Sequence, residues 1–313
     1  MAAKGVRVAT REMVLAGVAM ALVLSTAAAA QDRSSDPPMG RQFAAVNGTT
    51  IQCPLPQPRP PEQLAAQFET RPQDLDELSR RAQAFFNSRG EAGRQFREAQ
   101  AKRFAEDWPF LCRYRDANAA LEAIGKRPTA VFMGDSITEG WIEADPEFFA
   151  GNGYVDRGIS GQSSSQMVAR FEQDVVALRP RAIHIMAGTN DIGGATGPIS
   201  EDEFAGNIRA MLDMAKANGI AVVLAGIPPM SRLLPRPDFD TRPVVPRLNA
   251  RLKALAKEYG ATWVDYFPPL AAPDGSFDAR FANDGVHPTR AGYHVMEPMA
   301  RAALGKALAK AGR

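Results

Sequence analysis

After Pro128 the chain alternates short apolar runs with amphipathic stretches, and this alternation limits its fold more than any other feature. The runs are TAVFMG (129–134), YVDRG (154–158), AIHIMAG (182–188), AVVLAGIP (221–228) and TWVDYF (262–267). Helical periodicity fills the gaps near 164–178, 201–218 and 244–259, and a last helix covers 289–311. Strands that are apolar throughout are buried on both faces, so helices must cover both sides of a parallel sheet. The expected class is therefore α/β, and such sheets bind ligands at the carboxyl ends of their strands. With 313 residues and 45% hydrophobic content, the chain can bury one such core plus an appendage.

The strand ends are where the unusual residues collect. The first run leads into GDSITEGW, which puts Ser136 at the sheet edge. A serine hydroxyl is a poor nucleophile until a base takes its proton, and the base works best when a carboxylate holds its tautomer. Such a pair stands in DGVHP, where Asp284 and His287 are three apart and Pro288 discourages helix at the histidine. On its own, a small polar triplet after a strand is also an ordinary turn or helix cap. The second run ends in RGISGQS, where Gly158 fits a turn of positive φ or a close backbone approach. The third ends in GTND; Asn190 offers a neutral amide donor or forms an Asx turn, and Asp191 reads as a brace for that loop. His184, inside an apolar run, reads as a core residue and His294 as a structural residue of the last helix. With three histidines, no HExxH and no carboxylate cluster in the sequence, neither a catalytic metal nor another cofactor is expected.

These four blocks, in this order, resemble the SGNH hydrolases, or GDSL-type esterases and lipases, over residues 128–305. GDSITEGW and GTND look most like the branch related to platelet-activating-factor acetylhydrolase and to bacterial acetylesterases and lysophospholipases. The resemblance implies a flavodoxin-like three-layer α/β/α sandwich with a parallel five-stranded sheet. It implies catalytic Ser136, Asp284 and His287, and an oxyanion hole from the N–H groups of Ser136 and Gly161 and the side chain of Asn190. Gly161 enters only through this resemblance. No GxSxG elbow occurs, which argues against an ordinary α/β-hydrolase.

The amino-terminal third has a different texture. Residues 1–30 read as a signal peptide: Lys4, Arg7 and Arg11 precede an apolar run (13–24) and a small-residue end at Ala28-Ala29-Ala30. The run is short for a membrane span, so cleavage and a periplasmic or secreted product are expected, without stable membrane insertion. That stretch carries the whole formal excess of +2, which leaves a near-neutral remainder with no sign of a nucleic-acid partner. Residues 31–61 are Pro-rich and read as an extended lead-in. Over 62–127, Leu75, Leu78, Ala82, Phe85 and Phe86 share one helical face, and Phe96, Phe104 and Trp108 continue the pattern; this reads as a helical extension packed on the hydrolase domain (128–313), with a partner-binding helical arm as the alternative. Cys53 and Cys112 lack metal-ligand spacing, so export would bridge them and a reducing compartment would leave two thiols.

The expected activity is an exported serine esterase acting on a short acyl ester, with deacetylation of a carbohydrate favoured. A lysophospholipase would use the same residues, acyl transfer to a sugar is a further option, and a non-catalytic glycan-binding envelope protein is the alternative of another class. Arg232, Arg236 and Arg242 in the loop after the fourth run offer charge to an anionic substrate or simply to solvent.

Overall fold

A computed structural model of the chain describes residues 39–54, 59–69, 74–86, 88, 90–233 and 238–312. The amino-terminal part forms strands β1 (Met39–Ala44) and β2 (Thr50–Pro54) and helices α1 (Pro61–Phe68), α2 (Leu75–Phe86) and α3 (Glu91–Glu106). A 3-10 turn at Leu111–Arg113 then leads into α4 (Arg115–Ile124). The main domain runs β3 (Ala130–Gly134), α5 (Ser136–Ala144), α6 (Pro146–Asn152), β4 (Tyr154–Gly158) and α7 (Ser164–Phe171), whose end widens into a π turn over Glu172–Val176. It continues with β5 (Ala182–Ile185), α8 (Thr189–Gly193), α9 (Glu201–Ala217), β6 (Ala221–Ala225) and α10 (Val244–Glu258). It closes with β7 (Thr262–Val264), α11 (Phe267–Leu270) and α12 (Arg290–Ala311).

Strands β3 to β7 form one sheet in the order β4-β3-β5-β6-β7. Every pairing in it is parallel, with Val131 opposite both Val155 and Ile183. This is the flavodoxin-like order, and its switch point lies beside β3. Alternate side chains of β3 feed two cores, as the period of a strand requires. Val131 and Met133 pack under α7, α9 and α10 through Phe171, Ile208, Met211 and Leu252. Ala130 and Phe132 face α5, α6 and α12 through Trp141, Phe149, Tyr293 and Met296. Full burial of a side chain such as Phe132 stabilises by roughly 1.5–3 kcal/mol. The three-layer α/β/α sandwich is therefore present, with all five strands where the apolar runs placed them.

Several boundaries differ from the expectation. The fifth strand stops at Val264 rather than 267, because Pro268 and Pro269 sit in the first turn of α11. Residues 136–152 form two helices at once after β3. The Pro-rich lead-in is not featureless: β1 and β2 pair as an antiparallel hairpin. Trp108 lies beyond the end of α3, as the following Pro109 disfavours helix there, and its side chain is exposed. In the extension Leu78 is buried, and Phe85 meets Phe96 edge-on at 5.7 Å. The side chains of Ala82 and Phe86, the stretch 1–30 expected to be a signal peptide, and Arg236 lie outside the described residues. No helix among the described residues is long and apolar enough to cross a membrane.

The hairpin is tied to the extension, and the extension to the domain, at named points. Cys53 of β2 is disulfide-bonded to Cys112. The backbone N–H of Arg41 donates to Asp116 at 2.8 Å. Phe68, at the end of α1, enters the core and packs edge-on against Tyr293 of α12.

Candidate active site

Strand β3 ends at Gly134, and Ser136 is the first residue of α5. The Asp135 carboxylate accepts the N–H of Ile137 at 2.9 Å, capping that helix and presenting Ser136 at the carboxyl edge of the sheet. A helix start leaves its first amides without intrahelical partners, so the N–H of Ser136 is among those turned toward the sheet edge.

Asp284 and His287 come to the same edge on the loop before α12. The Oγ of Ser136 is 2.9 Å from Nε2 of His287, and Nδ1 of His287 is 2.6 Å from Oδ2 of Asp284. The other Asp284 oxygen accepts the N–H groups of Val286 and His287 at 2.9 and 2.8 Å, so one tight turn aims both side chains. That turn needs Gly285 at φ +78°. Burial alone would lower the pKa of His287, but the charge and hydrogen bond of Asp284 outweigh it and hold the imidazole above 6.5. Burial likewise opposes ionisation of Asp284, and its contacts with His287 bring it below the ordinary carboxylate range.

The remaining predicted residues flank Ser136. Gly161 has φ +80°, and nothing lies within 4 Å of where its Cβ would be, so its backbone borders open space. Asn190, in α8, donates from Nδ2 to the Gln162 carbonyl at 3.1 Å and to Asp135 at 3.3 Å. Its amide thus sits between the Ser136 turn and the Gly161 loop. Asp191 accepts from the Ser164 backbone at 3.0 Å and from its hydroxyl at 2.5 Å, bracing the start of α7. Gly158 has an ordinary φ; what demands glycine there is the backbone of α5, which a Cβ would meet at 2.1 Å from the Glu139 nitrogen. His184 is a buried core residue, stacked on Phe132 and 2.9 Å from the Tyr266 hydroxyl, and burial drops its pKa to about 3. His294 is exposed rather than packed. Arg232 pairs with Asp76, and Arg242 with Asp240 at 2.9 Å, so both are neutralised near the surface.

Other groups at this site carried no role in the sequence reading. Glu139, one turn after Ser136, accepts from Arg113 at 2.9 Å and from both the backbone and hydroxyl of Ser160. Burial works against its charge, yet Arg113 and Ser160 together keep it ionised below the usual range. Glu139 stood inside GDSITEGW, but its partner lies in the extension, so no local pattern could show the pair. Asp135 is pushed up to about 6, first by burial, with the Ile137 amide offsetting part of that. Gln162 donates to the Pro109 carbonyl at 2.9 Å and accepts from the buried Arg170, which also donates to the Gly134 carbonyl at 3.1 Å. The side chain of Asn283, next to Asp284, donates to the carbonyls of Gln67 and Glu69 at the end of α1, at 3.1 and 2.7 Å. Arg59 is held by Glu143 at 2.9 Å, and its charge acts on His287 to lower the pKa. The extension therefore touches both the serine side and the histidine side of the site.

A model of the GDSL-like lipase/acylhydrolase family matches residues 132–295 of the chain. A proposed acylhydrolase from Bacteroides fragilis is similar at 41% identity and TM-score 0.62, covering 65% of this chain and 99% of that one. A GDSL-like lipase from Bacteroides thetaiotaomicron is similar at 40% identity and TM-score 0.61, covering 64% of this chain and 100% of that one. An acetylxylan esterase from Geobacillus stearothermophilus is 27% identical over 206 residues, covering 55% of this chain and 92% of that protein.

Proposed function

The chain belongs to the GDSL-like lipase/acylhydrolase family and is a carboxylic ester hydrolase, and from the relay of hydrogen bonds at its sheet edge we propose that Ser136 is the nucleophile, His287 the general base and Asp284 the group that orients that base. The carrying observation is the pair of contacts at 2.9 and 2.6 Å that join the three side chains.

In the first step Nε2 of His287 takes the hydroxyl proton as Oγ of Ser136 bonds to the ester carbonyl carbon. The carbonyl oxygen becomes an oxyanion, stabilised by the N–H groups of Ser136 and Gly161 and the Asn190 amide. Collapse of this intermediate breaks the bond to the leaving alcohol oxygen, which takes the proton from His287. Water then attacks the acyl-enzyme by the same route, returning acid product and free serine. Asn190 gives its two amide hydrogens to Gln162 at 3.1 Å and to Asp135 at 3.3 Å; the first contact orients the amide, and the second, longer one must be released to the oxyanion as it forms.

The substrate is proposed to be a short-chain acyl ester, with acetyl groups on a carbohydrate favoured. Support comes from the acetylxylan esterase similarity. Export through residues 1–30 is part of this reading, and the Cys53–Cys112 bridge fits an oxidising compartment. Residues 62–127 are read as an extension that walls the site rather than a separate unit.

Ser136→Ala should lose ester hydrolysis and fluorophosphonate labelling while keeping wild-type thermal unfolding. Asn190→Ala should lose about 10²–10³-fold in kcat. Near-normal hydrolysis by Ser136→Ala would refute the assignment, and a wild-type protein inert to the fluorophosphonate would indicate a non-catalytic scaffold. Across p-nitrophenyl esters, a steep fall beyond butyryl supports the acetylesterase; a maximum at long chains supports the lysophospholipase instead.

A further inference from the structure

Three metal-type side chains converge on the α5–α6 corner, away from the reaction site. Asp145 follows α5 and caps α6, while His294 and Glu297 stand in the first two turns of α12. Nine residues of helix separate Asp145 from Ser136, or about 13 Å at the helical rise. One donor atom from each of the three lies within 4.8 Å of the other two. His294 and Glu297 are three apart on their helix and so project from one face. Nε2 of His294 is 3.8 Å from Oδ2 of Asp145. The other Asp145 oxygen is committed to the Phe148 N–H at 3.0 Å, which leaves Oδ2 for a different partner.

Glu297 is the informative member. It is only 9% exposed, and its Oε1 is buried without a hydrogen-bond partner. The indole N–H of Trp141 acts on this carboxyl as a donor, and one N–H fills only one of the several acceptor positions of a carboxylate. An unpaired buried carboxylate oxygen costs several kcal/mol unless something of positive charge meets it. Two carboxyl groups this close are relieved by a shared proton, by the His294 imidazolium or by a bound cation.

We propose that Asp145, His294 and Glu297 form a structural divalent-cation site. One nitrogen and two carboxylate oxygens suit a zinc-class ion, with water completing a tetrahedron. Bonds of about 2.0–2.2 Å place neighbouring ligands roughly 3.3 Å apart, so the side chains must close in slightly on binding. His294, 56% exposed, has the freedom to do so. The ion would join the end of the helix that starts at Ser136 to the helix that follows His287. Its effect is on stability, and no catalytic step depends on it.

Chelator-stripped, untagged protein should bind one equivalent of Zn²⁺ by calorimetry, with a rise in melting temperature. His294→Ala and Glu297→Gln should each weaken binding by about 10-fold or more. The His287→Ala variant should keep it, which separates this site from adventitious binding at the catalytic histidine. Co²⁺ should give the visible absorption of a tetrahedral complex, lost in His294→Ala. Metal-free His294→Ala should hydrolyse p-nitrophenyl acetate at the metal-free wild-type rate. Failure of Zn²⁺ and Co²⁺ to bind at millimolar concentration would overturn the proposal in favour of a proton shared by Asp145 and Glu297. Binding that is undiminished in His294→Ala, or that vanishes in His287→Ala, would overturn it equally.

Discussion

Ser136 differs from the other serines of the chain in what surrounds its oxygen. A helix start lies beneath it, and a half-buried imidazole held by Asp284 sits beside it. The imidazole must be neutral to accept the serine proton, and Asp284 holds its pKa above 6.5. The acid limb of kcat/KM should therefore rise with pH through an apparent pKa above that value. The Asp284→Asn variant should shift this limb to lower pH and lose about 10⁴ in kcat, by analogy with other serine hydrolases; an unshifted limb would assign the titration elsewhere. The same shift has a stability counterpart. Protonated His287 favours the fold fully below about pH 6.5, and that contribution disappears as pH rises through its higher folded value. Each of these residues was legible in the sequence because its block is short and local. Glu139, Asp135 and Asn283 were not assigned roles there, since their partners Arg113, Asn190 and the end of α1 are distant in the chain.

Between elements, the close approach of α5 to β4 positions Ser136, the proposed nucleophile. Gly158 permits it: an added Cβ would lie 2.1 Å from the Glu139 nitrogen and 2.8 Å from the Asp135 carbonyl oxygen, both backbone atoms unable to rotate away. Gly158→Ala should cost about 1–3 kcal/mol or more by overpacking, and activity should fall because Ser136 moves with its helix. Gly151, on α6, provides the control, since its Cβ would meet nothing within 4 Å. Gly151→Ala should be neutral or should stabilise by up to about 1 kcal/mol through helix propensity. Urea denaturation of both variants checks the contrast, and equal effects would mean that the α5–β4 contact is not rigid. The apolar run located β4 but no periodicity located α5, and their separation depends on atoms that meet only after folding.

Across the whole molecule, the extension and the domain meet at one edge of the sheet, beside the proposed catalytic residues. Arg113 reaches Glu139 and thereby the Ser160–Gly161 loop, while the end of α1 receives Asn283 beside Asp284. The Cys53–Cys112 bridge, spanning 59 residues, holds the hairpin to the turn that carries Arg113. Cys112→Ser should lower stability by about 2–4 kcal/mol, a loss governed mainly by loop closure in the unfolded chain. Limited proteolysis should then cut first between residues 39 and 112, leaving the domain intact. Simultaneous loss of both parts would instead show that they unfold as one unit.

The sequence by itself determined the five strands and their parallel pairing, and it singled out Ser136, Asn190, Asp284 and His287 as candidates. Those features are encoded locally, in apolar period and in blocks of a few residues at strand ends. Only the tertiary structure decided that the Pro-rich lead-in pairs as a hairpin, that Gly158 is there for an approaching helix, and that Asp145, His294 and Glu297 meet. Each of these depends on groups that lie far apart along the chain, and only packing sets the distance between such groups.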